Sequence, residues 1–167
     1  MFTSVCEIIL GALVRARIVR NETNRFYLDL RMLNERNVST KNGIFLPADE
    51  VHSFFEILFN TVSDGNFKHF PLGYLNKTLL IKNEPDGYVT ILYQKKAGEF
   101  EFTGIRLSPQ ELENLRNQQT YFINTLETQQ AQFPVLAQRK HKSFTPDENS
   151  LKYSKRSTNE NDQTNKN

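Results

Sequence analysis

Between residues 25 and 32 polar and apolar positions alternate without a break, with Phe26, Leu28, Leu30 and Met32 on one side and Arg25, Tyr27, Asp29 and Arg31 on the other. A period of two puts successive side chains on opposite faces of an extended chain, so this segment predicts a strand with one buried face. Residues 88–94 repeat the pattern, with Val89, Ile91 and Tyr93 inward and Tyr88, Thr90, Leu92 and Gln94 outward. The preceding segments, 13–19 and 75–81, are rich in β-formers. They run into Asn21-Glu22-Thr23-Asn24 and Asn83-Glu84-Pro85-Asp86-Gly87, turn sequences suited to hairpins. Further short strands are predicted at 44–46 and 100–107. The apolar period then changes to that of a helix at Val51, Phe54, Phe55 and Leu58, and again at Leu112, Leu115, Phe122 and Leu126, with Gln119 interrupting. Ser108, Pro109 and Glu111 spell an N-cap, a first helical residue and a closed capping box. Pro47, Asp49 and Glu50 open the earlier helix in a similar way.

The two halves of this pattern match each other. Leu10-Gly11 returns as Leu72-Gly73, and Val19-Arg20-Asn21-Glu22 as Ile81-Lys82-Asn83-Glu84, at a spacing of 62. Gly43-Ile44, Leu46, Glu50 and Val51 return as Gly104-Ile105, Leu107, Glu111 and Leu112, at a spacing of 61. Repeat one covers residues 5–62 and repeat two 70–126, with a turn-rich link at 63–66. Each repeat is a set of strands followed by one helix, too small to bury its own apolar face. The expected fold is therefore α+β. One domain of two repeats, 5–126, pairs as an intramolecular pseudo-dimer, its helices covering the inner faces of both antiparallel sheets and leaving the outer faces open. From 132 to 167 Gln, Asn, Ser, Thr and Lys dominate and no period survives, which predicts a disordered C-terminal tail.

Net charge changes this picture little, since 21 basic and 19 acidic residues leave only +2. Its distribution changes it more. Residues 15–41 hold seven basic residues against three acidic ones, while the predicted helices carry Asp49, Glu50, Glu56, Glu111 and Glu113. Such segregation gives a dipolar domain with one basic face, although strands and helices also acquire complementary charge for no reason of binding. The single cysteine, Cys6, excludes an intramolecular disulfide framework and a cysteine zinc cluster, and fits a reducing compartment. No apolar run reaches the roughly 20 residues of a membrane span. The expected location is nuclear or cytoplasmic, without membrane attachment.

The predicted outer faces hold Arg15, Arg17, Arg25, Tyr27, Arg31 and Phe45 in repeat one. In repeat two they hold Lys77, Tyr88, Thr90, Gln94 and Arg106. Guanidinium groups interleaved with aromatic rings suit a single-stranded nucleic acid, whose phosphates and unpaired bases they match. Tyr and Arg are also ordinary cross-strand neighbours on any exposed sheet.

The hairpin at 17–31, with Val19-Arg20-Asn21-Glu22 and Asn24-Arg25-Phe26-Tyr27-Leu28-Asp29-Leu30, resembles the first hairpin of the PUR (purine-rich-element-binding) repeats. Ile44-Phe45-Leu46-Pro47-Ala48 and Phe54 resemble their strand-to-helix junction. Gly104-Ile105-Arg106-Leu107-Ser108-Pro109 is similar to the matching junction of the positive-cofactor-four coactivators. Those families, with the Whirly proteins, share a four-stranded-sheet-plus-helix unit that pairs through its helices and binds single-stranded DNA or RNA. The resemblance covers both repeats and not the tail. It implies a β-β-β-β-α repeat and contacts from Arg20, Asn21, Asn24, Arg25, Tyr27 and Arg31, with Lys82, Asn83 and Tyr88 by internal repetition. Repeat two lacks the Arg-Phe-Tyr-Leu-Asp wording and has Gly87-Tyr88-Val89-Thr90-Ile91 in its place.

No catalytic constellation is apparent. His52, His69 and His141 are scattered, Cys6 has no histidine partner, and neither a phosphate loop nor a metal-ligand spacing occurs. The expectation is a non-enzymatic binder of single-stranded DNA or RNA without cofactor or metal, serving transcription regulation or RNA handling as a monomeric pseudo-dimer or a homodimer. The rival expectation is a protein-interaction module using the same fold for dimerisation or as a scaffold.

Overall fold

The computed structural model describes residues 1–65, 68–72, 77–94 and 104–137. Strands β1 (Thr3–Gly11), β2 (Val14–Arg20), β3 (Phe26–Leu33) and β4 (Ser39–Pro47) form one antiparallel sheet in sequence order, followed by helix α1 (Ala48–Asp64). Strands β5 (Lys68–Leu72), β6 (Lys77–Asn83), β7 (Val89–Gln94) and β8 (Ile105–Leu107) form a second, followed by α2 (Pro109–Asn117) and α3 (Gln119–Gln132). The α+β expectation holds, with two four-stranded antiparallel sheets. Residues 95–103, which contain the first half of the strand predicted at 100–107, lie outside the described residues, as do 138–167 of the predicted tail.

Alternation in the sequence becomes two-sidedness in the sheets. Leu28, Leu30, Ile44, Leu46, Ile81, Ile91 and Leu107 are fully buried, and Val51, Phe54, Phe55 and Leu58 of α1 join them with Leu115 and Phe122 in one core. Helix α1 packs on β3 and β4 as well as on β5 and β6, while α2 packs on β1 and β8. Each sheet is thus covered partly by the helix of the other repeat. The α2–β1 contact is close: Asn114 Nδ2 donates to the Leu10 carbonyl at 2.6 Å, and a Cβ on Gly11 would overlap the Glu111 side chain. Leu10 and Gly11 recur as Leu72 and Gly73, yet Gly11 has a reason of its own to lack a side chain.

Helix ends follow their local signals. Ser108 Oγ accepts from Glu111 N at 3.1 Å and Glu111 Oε1 accepts from Ser108 N at 2.8 Å, closing the capping box. Helix α1 starts after Pro47 without a side-chain cap, with Asp49 and Glu50 in its first turn, and ends on left-handed Gly65. The expected 63–66 link therefore begins inside α1. The interruption predicted near Gln119 is a break at Gln118 that divides the second helix into α2 and α3. Helix α3 then continues to Gln132, and the compact unit extends to Val135.

The turns correct the repeat alignment. Asn21 N donates to Arg25 O at 2.9 Å and Asn24 N to Asn21 O at 3.1 Å, while Glu84 N donates to Tyr88 O at 2.8 Å and Gly87 N to Glu84 O at 3.0 Å. The left-handed residues are Asn24 (φ 64) and Gly87 (φ 87). The two hairpins therefore superpose at a spacing of 63, not 62. Arg20 corresponds to Asn83 and Val19 to Lys82, because a slip of one residue moves a side chain to the other face. Among the described residues no helix is long and apolar enough to cross a membrane.

Candidate nucleic-acid interface

The outer face of the first sheet is organised around one acid. Asp29 lies on the solvent side of β3 by register, yet it is only 1% exposed because three arginines close over it. Hairpin pairing puts Arg17 directly opposite, and its Nε donates to Asp29 Oδ2 at 3.0 Å. Arg31, two residues further along the same strand face, gives Nε and Nη2 to Oδ1 at 3.1 and 2.8 Å. Arg15 Nη2 stands 3.7 Å from Oδ2 and donates to Ser39 Oγ at 2.8 Å, while its buried Nε has no hydrogen-bond partner. Three guanidinium groups on one carboxylate leave two net positive charges held in fixed geometry, a source of positive potential over the sheet.

Beside this cluster lies an aromatic group. Tyr27 and Phe45 come from adjacent strands, with Phe45 opposite Asp29 and Tyr27 opposite Pro47. Their rings stack with centroids 4.7 Å apart, and Phe2 meets them edge-on at 5.8 and 5.3 Å. Phe2 remains half exposed. Next to Tyr27 an open groove of about 420 Å³ is lined by Asn24, Arg25, Phe26, Pro47 to Glu50, Gln130 and Val135. Arg25 is exposed at its edge. Burial, with the neighbouring Asp49 charge second, pushes the Glu50 carboxyl above its usual value.

The predicted site residues divide into two sets. Arg15, Arg17, Tyr27, Arg31 and Phe45 share the outer face of the first sheet, and Arg25 stands at its end. Arg20 instead turns to the other side, its guanidinium 4.1 Å above the Phe133 ring. Asn21 Oδ1 accepts from Thr23 N, Thr23 Oγ1 and Arg25 N, so the side chain that was expected to meet a ligand shapes the turn. Asn24 Nδ2 donates to the Pro134 carbonyl at 3.1 Å. Asn83 Nδ2 donates to Thr61 O at 2.6 Å and so binds the end of α1 rather than solvent.

In the second sheet the hairpin correspondence puts Thr78, Leu80, Leu92 and Gln94 where Arg15, Arg17, Asp29 and Arg31 stand in the first. Lys82 is exposed on this outer face opposite Thr90. Arg106 stacks 3.7 Å from the Tyr88 ring centre and pairs with Asp86. The arginine cluster is thus not duplicated.

Two participants were not anticipated as site residues. Asp29 was visible as an outward acid, and counting back from the turn would have set it opposite Arg17. Phe2 precedes the first strand and carries no periodic signal. Among the described residues no group of His, Cys, Asp and Glu could hold a metal ion. The chain matches no protein-family model and no curated protein.

Proposed function

We propose that this chain binds single-stranded DNA or RNA on the outer face of its first sheet, as a non-enzymatic factor in transcription regulation or RNA handling. One observation carries the reading: the stacked Tyr27–Phe45 pair adjoins three arginines anchored on Asp29, on the face of the first sheet opposite the core residues Leu28, Leu30, Ile44 and Leu46. Arg17, Arg25 and Arg31 meet phosphates, and Phe2 and Tyr27 offer ring surface to unpaired bases. The PUR-like wording of the β2–β3 hairpin and the sharing of helices between two sheets support a PUR- or Whirly-like pseudo-dimer. Duplex DNA offers no free base faces to such a surface.

The test is titration of labelled single-stranded and duplex oligonucleotides into the full chain at several salt concentrations. Single strands bind more tightly than duplex, with log K falling by about 0.7 per phosphate neutralised for each unit of log salt. Tyr27→Ala removes a stacking surface worth roughly 1–3 kcal/mol and weakens binding accordingly. Equal affinity of wild type and the Arg25→Ala/Tyr27→Ala double variant, both folded, overturns the assignment of this face.

A further inference from the structure

The C-terminal end of the compact unit is fastened to the β2–β3 hairpin, the part of the first sheet where the chain turns toward solvent. Phe133 follows the last turn of α3, its N–H donating to Gln129 O at 2.9 Å. From there its ring lies 4.1 Å beneath the Arg20 guanidinium, and the next residue, Pro134, presents its carbonyl to Asn24 Nδ2 at 3.1 Å. Val135 completes one wall of the groove beside Arg25 and Tyr27.

The Arg20–Phe133 and Asn24–Pro134 contacts each imitate one that an unpaired nucleotide makes. A flat ring under a guanidinium imitates a base stacked on arginine. A carbonyl accepting from a carboxamide imitates a base or sugar oxygen. We propose that Phe133 to Val135 form an internal competitor seated on a nucleotide subsite made by Arg20 and Asn24, and that displacing this strap extends the binding face round the hairpin. The proposal rests on the nucleic-acid reading of the first sheet and concerns its regulation.

The strap lowers apparent affinity by the fraction of molecules in which it is seated, so loosening it tightens binding without creating a contact. Neither Arg20 nor Asn24 needs to move far, since the turn is fixed independently by Asn21 Oδ1 and by the backbone bonds of the hairpin.

The experiment compares wild type, Phe133→Ala and Phe133→Leu in the full chain, titrated with a labelled 12-nucleotide single strand at one salt concentration. Thermal unfolding establishes that each variant is folded at the assay temperature. Phe133 also packs against the core, and Phe133→Leu retains apolar bulk while removing the ring face, which guards against simple loss of folding. The expected result is binding tightened about threefold to tenfold by Phe133→Ala and by less in Phe133→Leu, in line with a competent fraction raised toward one. Adding Arg20→Ala to Phe133→Ala then abolishes the gain. Unchanged or weakened binding in both folded variants overturns the strap while leaving the function standing, provided wild type binds. Absence of binding by wild type and variants alike overturns both, and binding by the variants alone supports both.

Discussion

The Arg31 side chain lies directly over Gly43, its partner across β3 and β4, and reaches Asp29 from that position. A methyl group on Gly43 would overlap Cζ, Nε and Nη1 of Arg31. Gly43 is therefore the floor on which one of the three guanidinium groups rests. Gly43→Ala is expected to lift Arg31 off the Asp29 carboxylate and to destabilise the domain by about 1–3 kcal/mol, the usual range for overpacking and for a lost buried charge contact. Urea unfolding measures it. A variant as stable as wild type would show that Arg31 has another equally good position.

Asp29 separates folding from binding. Asp29→Asn leaves three arginines without their counter-charge, and breaking such a buried pair costs on the order of 3–5 kcal/mol. Arg17 and Arg31 retain some solvent, which puts the expected loss toward the lower end. The same substitution raises the positive charge of the outer face by one. Below the unfolding transition Asp29→Asn should therefore bind single strands at least as tightly as wild type and with a steeper salt dependence, whereas Arg17→Ala binds more weakly with a shallower one. A fall in affinity for folded Asp29→Asn would mean that arginine geometry matters more than charge.

The strand periodicity, the helix starts and the duplication were legible because each is local: alternation, a capping box and a turn sequence depend on neighbours in the chain. Register was less so. Val19-Arg20-Asn21-Glu22 and Ile81-Lys82-Asn83-Glu84 match best at 62, but the hairpins close at 63, since Asn24 and Gly87 take the left-handed position. A one-residue difference leaves composition and propensity nearly unchanged while exchanging the two faces. The outward arginines and Tyr27 could be read from β3 and its pairing with β2. The roles of Arg20, Asn24 and Asn83 could not, because their partners Phe133, Pro134 and Thr61 are distant in sequence and meet them only through tertiary packing.

Asn83 tests this correction. Its carboxamide holds the Thr61 carbonyl, which also accepts the N–H of Gly65 where α1 ends. Asn83→Ala is expected to lower stability by about 1 kcal/mol through the lost hydrogen bond and to leave oligonucleotide affinity within error of wild type. Chemical denaturation and titration of one preparation give both values. Weakened binding at unchanged stability would restore Asn83 to the binding face.

Gly11 and Glu111 couple the two repeats, and a double-mutant cycle resolves the coupling. Gly11→Ala pushes the Glu111 side chain out of the capping box, so it carries both a steric cost and the loss of the cap, together about 1–3 kcal/mol. Glu111→Ala gives up its half of the box in advance and makes room for the methyl group. The double variant should then be more stable than the sum of the two single losses predicts, by about 0.5 kcal/mol or more. Strict additivity in thermal or urea unfolding would mean that the approach of β1 to α2 adjusts without involving that side chain.

The surroundings of Glu50 give the domain a pH dependence whose sign can be worked out. Its carboxyl titrates above the usual 4.5 because burial, and then the Asp49 charge, disfavour ionisation in the folded chain. The folded state therefore holds this proton more firmly than the unfolded state does. The stabilisation is fully present below the unfolded value and is lost as pH rises through the folded value. Glu50→Gln, which cannot ionise, should melt at a higher temperature than wild type at pH 7, and the difference should shrink as pH falls through the folded value. The substitution also removes a negative charge from the groove that holds Arg25 and Tyr27. Single-strand binding at pH 7 should consequently tighten, most at low salt. If instead the melting difference between variant and wild type grows on acidification, the ionised carboxylate stabilises the fold, and the first turn of α1 favours it through the helix dipole more strongly than burial opposes it.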